Sequence, residues 1–240
     1  MQTMAEIGLP STFTSGGLAS MVASTQACRF EVAEFFVSWQ GVLTVAYTGF
    51  PDALLELKSQ VADFYPGLVK EFPGSKWPKT SIACLRDNKR LSREDLEKLR
   101  DICSKENSYL TSTTPLVEVN QLSIVLFANC CLEQTLCQTD VSLALPASTA
   151  GPNSEHCASV RAVLDEFRRE NLDNYYFNAS KDGNRTAHYR GFKAGVTLVH
   201  FLTSIPRALA RFRERVEREL PNMYDWFADR TLHITVRAIL

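Results

Sequence analysis

The chain has 240 residues, 45% of them hydrophobic and 22% charged, with a formal net charge of −1. That composition suits a soluble globular chain long enough for one large domain or two small lobes. It excludes collagen-like and low-complexity classes and gives no whole-chain charge argument for a nucleic-acid or membrane partner. It also contains no apolar run near the ~18 residues that a membrane-spanning helix needs.

Residues 1–28 hold one acid, Glu6, and no Lys or Arg. A secretory signal needs a basic start and an apolar middle, and both are missing. A transit segment should be poor in acids, which fits, but rich in Arg, which does not. Residues 1–40 are therefore expected to be an N-terminal extension, partly flexible. Gly41 to Thr48 is β-branched and aromatic, a strand signature. Pro51 then opens a helix through Leu54, Leu57 (or Lys58) and Val61. Pro66 to Pro78 reads as a loop and Thr80 to Leu85 as a second strand. Ser92 caps a helix striped with Leu96, Leu99 and Ile102. Asn107 to Pro115 reads as polar loop, Leu116 to Ala128 as one long or two short strands, and Val141 to Leu145 as another.

Pro146 to Asn153 is the best linker in the chain. It separates lobe one, about 41–145, from lobe two, about 154–240, within a bilobal domain 41–240. After it come an amphipathic helix through Val160, Val163, Leu164 and Phe167, and a polar stretch from Leu172 to Arg190. Gly195 to Phe201 is a strand, Pro206 opens a helix through Leu209, Phe212, Val216 and Leu220, and Leu232 to Ile239 is the last strand.

Seven cysteines, Cys28, Cys84, Cys103, Cys130, Cys131, Cys137 and Cys157, form no C-x-x-C pair. A disulfide framework is disfavoured and a reducing compartment fits better, the cytoplasm or nucleus before an organelle. Cys130, Cys131 and Cys137 lack zinc-ligand spacing, so no metal is expected.

The two strand–helix–strand pieces match. Gly41 and Gly195 lie 154 positions apart, as do Lys79 and His233; Pro51/Pro206, Leu54/Leu209, Leu57/Phe212, Val61/Val216 and Pro66/Pro221 lie 155 apart. One-residue slips at loops are what a duplication tolerates. The expected fold is α+β, with two pseudo-symmetric lobes each built on a β-α-β core. The closing strands read Lys79-Thr80-Ser81-Ile82 and His233-Ile234-Thr235-Val236. Side chains i and i+2 share a strand face, so Lys79 pairs with Ser81 and His233 with Thr235. Symmetry turns both polar pairs towards one central cleft, a set of one cation, one imidazole and two hydroxyls suited to phosphate.

Two copies of apolar–His-x-(Ser/Thr)–apolar on the closing strands of duplicated lobes are the mark of the 2H phosphoesterase superfamily. From Gly41 to Leu240 the chain resembles its RNA ligase and cyclic nucleotide phosphodiesterase members, the LigT-like enzymes included. The resemblance implies metal-free and cofactor-free chemistry on a 2′,3′-cyclic phosphate or RNA end. It assigns His233 as a catalytic histidine and Ser81 and Thr235 as phosphate ligands. Lys79 stands where the other histidine should be. A lysine ordinarily titrates near ~10.4 and is a poor general base, so the two-histidine mechanism does not carry over unchanged. The expected partner is a nucleotide or an RNA end. Two readings follow: a cyclic phosphodiesterase-type hydrolase, and a non-catalytic pseudoenzyme that keeps the cleft.

Other residues carry less weight. His200 shares a face with Leu198 and Leu202 and is expected on the core side. Tyr47 and Phe201 either pack or face a base. Lys181 to Arg218 holds nine Lys/Arg against three Asp/Glu, a candidate RNA-facing patch. Within it, Arg207, Arg211, Arg215 and Arg218 read as a solvated helix side, and His156 and His188 as surface residues.

Overall fold

The computed structural model describes residues 17–65, 67–68, 71, 77–114, 116–179, 185–203 and 207–239. Pro66, Pro206 and residues 180–184 of the polar stretch lie outside them. The apolar runs form strands β1 (Cys28–Ser38), β2 (Val42–Tyr47), β3 (Lys79–Leu85), β4 (Leu116–Val119), β5 (Gln121–Phe127), β6 (Thr135–Ser142), β7 (Gly195–Phe201), β8 (Tyr224–Trp226) and β9 (His233–Ala238). They build a five-stranded sheet, β4-β1-β2-β3-β8, and a four-stranded sheet, β6-β5-β7-β9. Every named strand pair is antiparallel. The helices are α1 (Gly17–Ser24), α2 (Asp52–Phe64), α3 (Arg93–Thr113), α4 (Ser154–Asp165), α5 (Leu172–Ala179), α6 (Arg185–Arg190) and α7 (Arg207–Glu219). The class is mixed α+β.

The helices form where the apolar spacing says they should. Leu54, Leu57 and Val61 bury one face of α2, and Leu209, Phe212 and Val216 one face of α7. Ser92 caps α3 reciprocally with Asp95, satisfying two otherwise unpaired backbone donors.

The expected extension ends too late. Residues 28–38 form β1, paired to β2 on one side and β4 on the other, with Phe30, Phe35 and Phe36 fully buried. The loop expected from Asn107 is the last turns of α3. Its polar residues are used locally: the Phe35 N–H donates to Asn107 Oδ1 at 2.8 Å, and the Thr111 and Thr113 hydroxyls donate to the Asn107 and Tyr109 carbonyls. Leu172 to Arg190 contains α5 and α6, because Leu172, Tyr175 and Ala179 fall at helical spacing and are buried. The strand expected at Val141 to Leu145 is β6, which starts at Thr135; as a one-sided edge strand it is largely exposed and polar.

The linker 146–153 does not divide two cores. One continuous apolar cluster runs from Leu18 to Ile239. Strand β8, from the C-terminal half, extends the first sheet beside β3. Phe212 of α7 stacks on Phe35 of β1 with centroids 4.1 Å apart, while α2 contacts β9. Each half of the chain therefore covers apolar surface supplied by the other.

Candidate anion-binding cleft

Strand alternation sets the site. On β3, Thr80 and Ile82 are buried while Lys79 and Ser81 are half-buried. Leu232, just before β9, and Ile234 and Val236 on it are buried, while His233 is half-buried and Thr235 exposed. Strands β3 and β9 contact each other across the two sheets. All four expected residues, Lys79, Ser81, His233 and Thr235, line one cleft of about 150 Å³. Phe50, Lys58, Glu71 and Trp77 line it as well.

His233 Nδ1 lies 2.7 Å from the Thr231 carbonyl oxygen. A carbonyl only accepts, so Nδ1 carries a proton and Nε2 holds the lone pair of the neutral ring. Burial lowers the pKa of His233, only partly opposed by that hydrogen bond. The imidazole is thus neutral at pH 7 and basic at Nε2. Phe201, on neighbouring β7, sets its ring edge-on at 6.0 Å between centroids.

Lys79 places its Nζ 4.2 Å from the centre of the Trp77 ring, a cation–π contact that fixes where the ammonium sits. Lys58 Nζ is 2.9 Å from Glu71 Oε2 and 4.2 Å from the centre of the Phe50 ring. Arg237, buried on β9, holds the other oxygen, Glu71 Oε1, at 3.0 Å. Burial pushes the Glu71 carboxyl up, but Lys58 and Arg237 outweigh it and hold the group below its ordinary pKa. The cleft thus has two lysines against one ionised carboxylate, and that carboxylate is already neutralised. Ser81 shares a hydrogen bond with Tyr189, whose phenol burial pushes up to about 12. The Tyr189 ring packs against Phe227 at 4.9 Å, so Ser81 is oriented from behind by α6.

Lys58, Glu71 and Trp77 were not singled out from sequence. Lys58 sits on the edge of the α2 stripe, where Leu57 is the core residue. Trp77, an aromatic two positions before a lysine at a strand start, was the legible signal.

Elsewhere the structure decides open points. His200 is 4% exposed, on the core side, with Nδ1 3.0 Å from the Gln121 carbonyl. Tyr47 packs in the core, its hydroxyl 2.9 Å from Thr80 Oγ1. His156 is not a simple surface residue: its Nδ1 accepts the Phe50 N–H at 3.1 Å. Part of the basic stretch is engaged in ion pairs. Arg190 pairs with Glu133 and Asp225, Arg213 with Asp229, and Arg211 and Arg215 with buried Glu106. Arg211 and Arg215 reach Glu106 from the helix side that was expected to be solvated, and their side chains stay 49% and 31% exposed. All seven cysteines are free thiols. Among the described residues no group of three or more His, Cys, Asp or Glu could hold a metal ion, and no helix is long and apolar enough to cross a membrane.

Comparison of the chain with protein-family models, with curated proteins and with solved structures finds no match.

Proposed function

We propose that this protein is a 2H phosphoesterase-like protein that binds a cyclic phosphate or an RNA-end phosphodiester in the Lys79–His233 cleft and opens it slowly. The observation that carries the reading is the meeting of two i, i+2 polar pairs, from segments 154 positions apart, in one cleft. The strand orders support an internal pseudo-symmetry. In the neighbour series β4-β1-β2-β3 and β6-β5-β7-β9, β2 corresponds to β7 and β3 to β9, with α2 and α7 between the members of each pair. The closing strands of both halves then carry the reacting groups.

Ring opening needs a base on one side of phosphorus and an acid on the other. Neutral His233 takes a proton from water at Nε2 as the water oxygen bonds to phosphorus. The P–O bond to the departing ribose oxygen breaks, and the Lys79 ammonium gives that oxygen a proton. Solvent then reprotonates Lys79 and removes the proton from His233. Ser81 and Thr235 donate hydrogen bonds to the non-bridging oxygens. An ammonium is a reluctant acid, so turnover lies on the order of 10²–10⁴-fold below a site with two histidines. The second reading is a pseudoenzyme that uses Lys79 only as an anion anchor. Lys79 itself favours it, since binding requires only charge and donors.

Hydrolysis of 2′,3′-cyclic nucleotides by the wild type, Lys79→His and His233→Ala separates the two. The hydrolase reading expects slow turnover, raised by Lys79→His and abolished by His233→Ala. Binding without turnover in the wild type establishes the pseudoenzyme. Turnover unaffected by His233→Ala refutes the assignment of the base.

A further inference from the structure

The phosphate cleft is too small for a whole nucleotide: its volume is about 150 Å³, against roughly 300–1,000 Å³ for small-molecule sites. A second cavity, of about 370 Å³, adjoins it, and Trp77 and Lys79 line both. Trp39, Glu166, Tyr175 and Tyr189 form much of the remaining wall. Whatever places its phosphate beside Lys79 thus has an aromatic-walled space next to it, with Trp77 shared between the two.

The wall is held in place from several directions. Trp39 is 58% exposed, yet its indole N–H donates to Glu166 Oε2 at 3.2 Å. It sits on the turn between β1 and β2, where Gln40 and Gly41 both take left-handed backbone, with φ of 62° and 70°. A Cβ on Gly41 would also lie 2.6 Å from Leu85 Cδ1, so this turn has little freedom to relax. The Gln40 side chain is tied down by Arg185. Tyr175 is anchored behind by donating its hydroxyl to the Val37 carbonyl at 2.6 Å. A strained, non-glycine backbone position that is pinned and presents an exposed tryptophan is the kind of feature found at ligand sites.

The polar group that selects the ring is Glu166. One of its oxygens accepts the Trp39 indole N–H, which orients the carboxylate along the aromatic wall. Among the described residues no donor engages its other oxygen, and Oε2 keeps a second lone pair, so the carboxylate can accept two further N–H groups. A carboxylate accepts and cannot donate, so it favours a ring edge that presents two N–H donors. Of the four RNA bases only guanine does so on its Watson–Crick edge; uracil, with a single N–H between two carbonyls, sets acceptors against the carboxylate.

Resting on the phosphate-cleft reading above, we infer that the cavity between Trp39 and Trp77 is a base subsite and that Glu166 makes it selective for guanine. The protein acts on a guanosine-terminated phosphate, with the base stacked on the aromatic wall and its donor edge on Glu166.

Equilibrium titrations with inorganic phosphate, guanosine 2′,3′-cyclic phosphate and uridine 2′,3′-cyclic phosphate test this. The wild type is expected to bind the guanosine ligand about tenfold or more tighter than the uridine ligand. Glu166→Ala and Trp39→Ala should bring that ratio to within about threefold and leave the affinity for inorganic phosphate unchanged. Lys79→Ala should weaken all three ligands. Equal binding of the two nucleotides by the wild type, or a preference that survives Glu166→Ala, overturns the guanine subsite while leaving the cleft standing. Failure of all three ligands to bind overturns the cleft itself. Circular dichroism of each variant guards against misfolding, and a Glu166→Asp variant that restores the preference ties the effect to the carboxylate.

Discussion

Glu106 offers a test of how the two halves are joined. It lies on α3, is 1% exposed, and meets two arginines of α7: Arg215 Nε at 2.8 Å and Arg211 Nε at 3.3 Å. Neither contact has hydrogen-bond alignment, so the attraction is chiefly one of charge. The burial is lopsided: the Arg211 and Arg215 side chains are 49% and 31% exposed, while the Glu106 side chain is 1% exposed. Removing both guanidiniums strands a buried anion, which costs about 3–5 kcal/mol. Removing the carboxylate leaves two cations that rehydrate, and a methionine fills the space at a cost near 0–1 kcal/mol. Urea unfolding of Glu106→Met and of the double variant Arg211→Met/Arg215→Met should therefore differ by at least about 2 kcal/mol, with the double variant the less stable. Arg211 also covers the Tyr109 ring at 4.1 Å, but methionine retains most of that apolar contact. Equal destabilisation by both, or a larger loss in Glu106→Met, would refute the view that desolvation of the carboxylate dominates this junction.

Three further outcomes are expected. Ile234→Ala should cost about 2–5 kcal/mol, because Ile234 is fully buried on the strand that carries His233; a thermal transition unchanged from wild type would show that β9 is not core. Burial lowers the pKa of His156, His200 and His233, so each folded value lies below its unfolded one, near ~6.5. Their stabilising effect is complete above ~6.5 and is lost as pH falls through the folded values; melting curves should show this loss, and His200→Leu should make it shallower. Any ring-opening activity should fall with acid through a pKa below 6.5, that of the neutral base His233; an acid limb above that value would point to a different base.

Much of the fold could be read where burial is one-sided. The strands β3 and β9 follow from alternation, and the helices α2, α3 and α7 from a prolyl start or a capping serine above one apolar stripe; β2 and β7, buried on both faces, show instead as short unbroken apolar and β-branched runs. What escaped was set by partners distant in sequence. β1 lies in a stretch that begins without charge, and its role depends on pairing with β2 and β4. β6 is polar because only one of its edges is paired. Glu106 and Asn107 look like loop residues until Arg215 and the Phe35 N–H appear opposite them. At the site, the i, i+2 rule identified Lys79, Ser81, His233 and Thr235 because strand geometry is local. Glu71 was not visible, since its place depends on Lys58 from α2 and Arg237 from β9 closing on it together.

The central claim is that Lys79 and His233 serve one anion site, and a double-mutant cycle on binding tests it most directly. Calorimetric dissociation constants for a 2′,3′-cyclic nucleotide would be measured with the wild type, Lys79→Ala, His233→Ala and the double variant. Groups that contact one phosphate are coupled, so the double variant should lose clearly less than the sum of the single losses. No binding by the wild type, or single losses that add as for independent sites, would contradict the shared cleft.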